Sequence, residues 1–276
     1  LTASHNLGEV LDGAEVVVMA VPSHGYRAVL ATGAGAIDDD TPVLSLTKGI
    51  EQDTLMRMTE VTADVLAGHD PDRIGVLTGP NLAAEIVAGQ PTATVIAMAD
   101  QGVAVQLQEL FGGLMFRVYT NADVVGAETA GATKNVMAIA AGMAEGLGFG
   151  LNTRATLLTR ALAEMTRLGV AMGGHTATFA GLAGMGDLIA TCMSPQSRNH
   201  RVGFSLGQGK SVDEITAEMS MVAEGIKSTA GILALAERNG IEMPIADQVG
   251  RVLYDGVPVQ EAILALMGRT ARSEVD

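Results

Sequence analysis

Along the first 122 positions the chain alternates two rhythms. Continuous apolar runs at 15–21 (EVVVMAV), 42–47 (PVLSLT) and 74–78 (IGVLT) are cut off by Pro22-Ser23, Lys48-Gly49 and Gly79-Pro80. Runs of Val, Leu and Ile without polar alternation predict strands buried on both faces, the habit of parallel sheets. Two more strands are expected at 92–98 and 116–119. Between the second and third runs, Leu55, Met58, Thr62 and Leu66 recur at helical spacing, and Gly68 supplies a stop. Alternation of strand and helix predicts a doubly wound α/β sheet.

From about position 123 the pattern becomes helical. Residues 127–145 are so rich in Ala and Gly that other backbones can pack closely against them. The stretch 156–169 is amphipathic, with Leu158, Leu162 and Met165 facing inward and Arg160, Glu164 and Arg167 outward. Ser211-Val-Asp-Glu214 is a capping box opening another helix. Residues 232–239 close at Gly240, and 258–267 form the last helix. The chain divides into an α/β part over 1–122 and an all-helical part over 123–276.

Composition narrows the function. With 48% apolar and 17% charged residues in 276, the chain can build a sizeable core. A formal charge of −14 argues against nucleic-acid binding, so an anionic ligand must meet a local cluster of basic groups. The single Cys192 excludes an internal disulfide framework and fits a reducing compartment. The most apolar stretch, 136–151, is interrupted by Glu145 and is too short to insert in a membrane. The five histidines show no metal-ligand spacing.

Three glycine-rich segments imitate phosphate-binding motifs at Gly33, Gly181 and Gly207, and none has the required context of strand, turn and helix. The strand ends are more informative. In an open parallel sheet they line one crevice, and there Lys48 is the sole basic residue while Asn81 is suited to cap a helix. Lys134 lies in a helix otherwise small or apolar, so it reaches solvent, pairs, or titrates abnormally. Asp187, in a glycine turn before an apolar run, is either a helix N-cap or a carboxylate that holds Lys134 or a substrate hydroxyl. Ser197-Arg198-Asn199 heads the densest group of donors, either a solvated loop or a fork for phosphate oxygens.

Taken in order, VPSH at 21–24, TKG at 47–49, Gly79-Pro80-Asn81 with Ala83 and Glu85, ETAGATKNV at 128–136, GMGDL at 184–188, QSRN at 196–199 and VAEG at 222–225 resemble the bacterial NAD(P)-dependent glycerol-3-phosphate dehydrogenases. The resemblance implies a partial Rossmann, dinucleotide-binding domain over 1–122 and a helical substrate-binding domain over 123–276. It implies NAD(P)H-linked reduction of dihydroxyacetone phosphate to sn-glycerol 3-phosphate for glycerophospholipid synthesis, in a cytoplasmic homodimer. By the same resemblance Lys134 is the proton donor, and Lys48, Gly79, Asn81, Asp187, Ser197, Arg198 and Asn199 bind substrate. Lys48, Ala83, Arg198, Val222 and Glu224 take the cofactor positions. Asn81 stands where the family usually has Ser or Thr, and both kinds cap helices. The family's first strand and glycine fingerprint are expected to precede Leu1. Alternative expectations are a related β-hydroxyacid dehydrogenase with a catalytic lysine, or an incomplete chain with a dimerisation or scaffold role.

Overall fold

The computed structural model describes residues 3–219, 223–270 and 273. Its sheet holds five strands in chain order: β1 (Val17–Met19), β2 (Val43–Ser45), β3 (Ile74–Thr78), β4 (Thr92–Ala97) and β5 (Phe116–Asn121). Helix α1 (Leu7–Leu11) precedes β1, and α2 (Ser23–Gly33) follows it. Then come α3 (Met58–Val65) before β3, α4 (Ala83–Val87) before β4 and α5 (Gln101–Phe111) before β5. Every residue of β2 and β3 is buried. Val43 packs with Tyr26, Leu30 and Val61 on one face, and Leu44 with Ile96, Val103 and Leu107 on the other. Helices cover both faces, which is why these strands lack polar alternation.

One strand departs from the expected direction. β1, β2 and β3 run parallel, as do β4 and β5, but β4 runs antiparallel to β3, with Leu77 opposite Ile96. The connection between β3 and β4 carries only the five-residue α4 and turns at Gly89, whose φ is +75. It is a fold-back rather than a full helical crossover. The reversal brings the start of β4 beside the carboxyl end of β3, where the Thr94 hydroxyl donates to the Thr78 carbonyl at 2.8 Å.

The helical part begins with α6 (Val124–Gly146), followed by α7 (Leu151–Ala171), α8 (Thr176–Ala180) and α9 (Asp187–Met193). It continues through α10 (Arg198–Gly207), α11 (Val212–Glu218), α12 (Glu224–Arg238), α13 (Pro244–Tyr254) and α14 (Val259–Met267). Nearly every residue of α6 is buried, so it forms the axis of this half. Its small residues permit backbone-to-backbone contact: a methyl added to Gly142 would lie 2.1 Å from the His200 carbonyl oxygen of α10. The Ser211–Glu214 capping box is present in both directions. Three expectations need correction. Asn81 does not cap α4, whose cap is Leu82, because the Asn81 side chain accepts from Lys48 and donates to Thr94 instead. Glu164 points into the core and not outward, because its carboxylate caps the start of α13. Leu55 lies outside α3, in a loop with φ +59, because Glu60 accepts the Arg57 N–H and starts the helix there.

Candidate active site

At the carboxyl ends of the strands, β2 and β3 meet α6 and α9 through Lys48 and Thr78, and β1 meets α12 through Ser23 and Glu224. Helix α6 runs against the sheet, and Ala127 packs with Val76, Val95 and Ala97. Gly131 allows this approach: a methyl there would stand 3.3 Å from Thr78 Oγ1 and 3.5 Å from Lys48 Cγ. One turn further, Lys134 reaches the strand ends. Its Nζ donates to Asp187 Oδ1 and, at 2.7 Å, to Thr191 Oγ1. Lys48 Nζ donates to the other carboxylate oxygen, Asp187 Oδ2, at 2.8 Å. It also donates to the Gly79 carbonyl at 3.2 Å and to Asn81 Oδ1 at 3.0 Å. Thr191 sits one helical turn after Asp187 and donates to its Oδ1 at 3.2 Å.

One carboxylate therefore serves two ammonium groups. Burial pushes the Lys134 ammonium down to about 8; Asp187 opposes this, and the Lys48 charge adds to it. Burial tends to raise the Asp187 carboxyl, but Lys134 and Lys48 outweigh it and hold the group below its ordinary value. The outcome is an anion that stays charged beside a lysine able to release its proton near neutral pH. Asp187 is the first residue of α9, and its side chain holds the two lysines.

The other predicted residues occupy distinct places. Gly79 has φ +131, and a side chain there would press on Thr94 Cα at 3.3 Å. Asn199 is buried in an amide relay: it donates to Asn135 Oδ1 at 2.9 Å, and Asn135 donates to the Lys48 carbonyl at 3.0 Å. Its own Oδ1 accepts the Gly225 N–H at 2.9 Å. Ser197 caps α10, and Arg198, the first residue of that helix, is exposed. Glu224 opens α12 and accepts from Ser23 N at 3.2 Å and Ser23 Oγ at 2.7 Å, across the end of β1. Ala83 opens α4 and is exposed. Val222 lies outside the described residues.

The structure thus brings Lys48, Gly79, Asn81, Lys134 and Asp187 into one cluster, ties Asn199 to it through Asn135, and sets Glu224 beside Ser23 and Gly49. Sequence reasoning did not single out Thr191, Thr78 or Asn135. A usable signal existed for Thr191, four residues after Asp187 on the same helix. Among the described residues no group of His, Cys, Asp and Glu is placed to hold a metal, and no helix is long and apolar enough to cross a membrane.

Two family models match the chain. The model for the NAD-dependent glycerol-3-phosphate dehydrogenase N-terminus matches residues 1–104, and the model for its C-terminus matches 123–264. A glycerol-3-phosphate dehydrogenase (NAD(P)+) of Sphingopyxis alaskensis is 58% identical over 90% of this chain and 74% of its own length. One from Thermobifida fusca is 51% identical over 99% of this chain and 81% of its own. The crystal structure of the Coxiella burnetii glycerol-3-phosphate dehydrogenase superposes with a TM-score of 0.90 at 38% identity, covering 95% of this chain and 80% of that one.

Proposed function

Because the chain belongs to the NAD-dependent glycerol-3-phosphate dehydrogenase family, whose members use NAD(P)H, we propose that its crevice reversibly reduces dihydroxyacetone phosphate to sn-glycerol 3-phosphate. The observation that carries this reading is the buried Lys134 ammonium, pushed down to about 8 and fixed on a carboxylate shared with Lys48. A carbonyl carbon that accepts hydride leaves negative charge on its oxygen, and a fixed ammonium beside that oxygen stabilises and then protonates it. Lys134 donates that proton to the C2 oxygen, and Asp187 and Thr191 aim its Nζ. Arg198, with Ser197, Asn199, Gly79 and Asn81, recognises the phosphate and hydroxyl groups; a planar guanidinium suits a phosphate.

The nicotinamide end of the cofactor fits the chemistry of the crevice. The N-terminus of α2 already cradles an anionic group, the Glu224 carboxylate, on the Ser23 N–H and hydroxyl. Gly49 lies against the same pair, where a methyl would meet Ser23 Cβ at 2.7 Å. Lys48, Ala83, Arg198, Val222 and Glu224 are the residues that would hold it. When bound, the cofactor supplies the hydride that goes to C2. Residues 1–122 form the dinucleotide-binding part and 123–276 the substrate-binding part of this reading. The product feeds glycerophospholipid synthesis, and the working form is a cytoplasmic homodimer.

The test is NAD(P)H oxidation by this chain with dihydroxyacetone phosphate. Turnover should fall as pH rises through about 8, since reduction needs Lys134 protonated. Lys134→Ala should lose activity by at least about 100-fold with cofactor affinity nearly intact. Near-normal turnover in that variant would refute the assignment. Preference for a β-hydroxyacid over the phosphorylated substrate would move the reading to that class.

A further inference from the structure

A buried carboxylate on α6 takes no part in the proton chemistry. Glu128 lies below the crevice, and its Oε2 pairs with Arg57 Nη1 at 2.7 Å. Its Oε1 accepts the Thr59 N–H at 3.0 Å, and the Thr59 hydroxyl donates to Oε2. Glu128, Gly131 and Asn135 follow one another at helical spacing, so they share a face of α6. All three touch one segment of the sheet half. Glu128 holds Arg57 and Thr59, Gly131 lies against Lys48 and Thr78, and Asn135 donates to the Lys48 carbonyl.

The segment between Lys48 and Thr59 is a strap laid along α6. Ile50 is buried in the helical core, and Leu55 packs on that core with φ +59, a conformation a non-glycine residue keeps only when its surroundings impose it. Ile50 bridges to Arg57, and the Glu51 N–H donates to the Met56 carbonyl at 3.0 Å, closing the strap on itself. Lys48 is its first residue. Beside the hold of Asn135 on the Lys48 carbonyl and of Arg27 on Glu51, the far end of the strap is a further anchor for the height at which the Lys48 ammonium meets Asp187.

We propose that Arg57 and Glu128 are positioning residues: their partly buried ion pair clamps segment 48–59 along α6 and sets the contact of Lys48 with Asp187. The proposal rests on the reading of Lys134 as proton donor only for its kinetic readout. Its direct readout is the titration of Lys134, whose titratable neighbours are Asp187, Lys48 and Cys192. The chain has four lysines, so their 13Cε signals can be assigned and followed with pH. Lys48 lowers the proton affinity of Lys134, so withdrawing Lys48 should raise it.

The experiment compares Glu128→Gln, which leaves Arg57 paired with Glu60 alone at 3.0 Å, with the double variant Arg57→Met/Glu128→Leu, which removes both charges of the pair together. In both, the Lys134 titration should move above its value of about 8. kcat for dihydroxyacetone phosphate should fall on the order of 10- to 100-fold, the cost of a misplaced catalytic group, with cofactor KM little changed. An unmoved Lys134 titration and kcat in both variants, even with a lowered Tm, would overturn the clamp. Changes confined to Glu128→Gln would assign the effect to the altered pairing of Arg57, which keeps only Glu60 at 3.0 Å, and overturn it too. If the unmodified chain does not turn over the substrate, the proposed function fails and the lysine titration alone decides the clamp.

Discussion

Two carboxylates in the helical half are equally deep but behave in opposite ways. Asp187 and Glu164 are 2% and 3% exposed. Asp187 meets the ammonium groups of Lys134 and Lys48 and is held below its ordinary range. Glu164 meets backbone N–H groups at the start of α13, Ile245 at 2.8 Å and Ala246 at 3.4 Å, with Arg160 and Arg167 acting only through space. Burial pushes it up to about 7 against those donors. The difference shows what a dry interior demands of an anion. Two or three dipolar N–H groups leave part of the desolvation cost uncovered, whereas two formal cations in direct contact cover it.

The comparison is broken most directly by Asp187→Asn. That change leaves the Lys134 and Lys48 ammonium groups without their shared anion. The expected result is turnover lower by more than about 100-fold and stability lower by about 3 kcal/mol, measured by initial rates and denaturant unfolding. An unchanged unfolding midpoint would mean that the two lysines had found other partners and that the cluster is not electrostatically closed.

Glu164→Gln tests the other side. A carboxyl whose folded pKa is raised from 4.5 to about 7 binds protons more tightly in the native state than in the unfolded one. Its contribution to stability is therefore full below about pH 4.5 and is lost as pH rises through about 7. Glutamine keeps an acceptor for the α13 N–H groups but carries no charge. The variant should match the parent near pH 3.5 and exceed it by about 3 kcal/mol near pH 8.5, seen as diverging Tm profiles. Parallel profiles would show that Glu164 is better solvated than its burial implies.

Much of this was legible in the chain and some was not, for reasons that particular residues make plain. The first three strands were readable because continuous runs dominated by Val, Leu and Ile leave no amphipathic alternative, and β3 matches its predicted span at both ends. The direction of β4 was not, because an apolar run reads the same in parallel and antiparallel company; the short α4 connection decides it. Lys134 was conspicuous because a lysine among Ala and Gly must reach solvent, pair or titrate abnormally, and the structure shows the pairing. That Lys48 shares that partner depends on contacts far apart in sequence, from β2 to α9, which spacing does not encode. Glu164 misled because its helical phase lies between Arg160 and Arg167, and only the distant arrival of α13 makes an inward carboxylate tolerable. Helix α13 itself was not anticipated.

Cys192 gives the gentlest test, because it borders the charged cluster without belonging to it. Its thiol is 1% exposed and pushed up to about 12 by burial; the Lys134 charge opposes this and Asp187 adds to it. A thiol reacts as thiolate, and near pH 8 the anionic fraction at that value is about one part in ten thousand. Iodoacetamide at that pH should leave the folded chain unlabelled while labelling it fully in denaturant, read by intact mass. Cys192→Ala should cost only about 1 kcal/mol, since it removes one small group from the core of the helical half. Rapid labelling of the folded chain would mean that α9 opens to solvent on the time scale of the reaction. In that event the depression of Lys134 by burial could not persist, and its titration should return toward 10.5 together with the labelling.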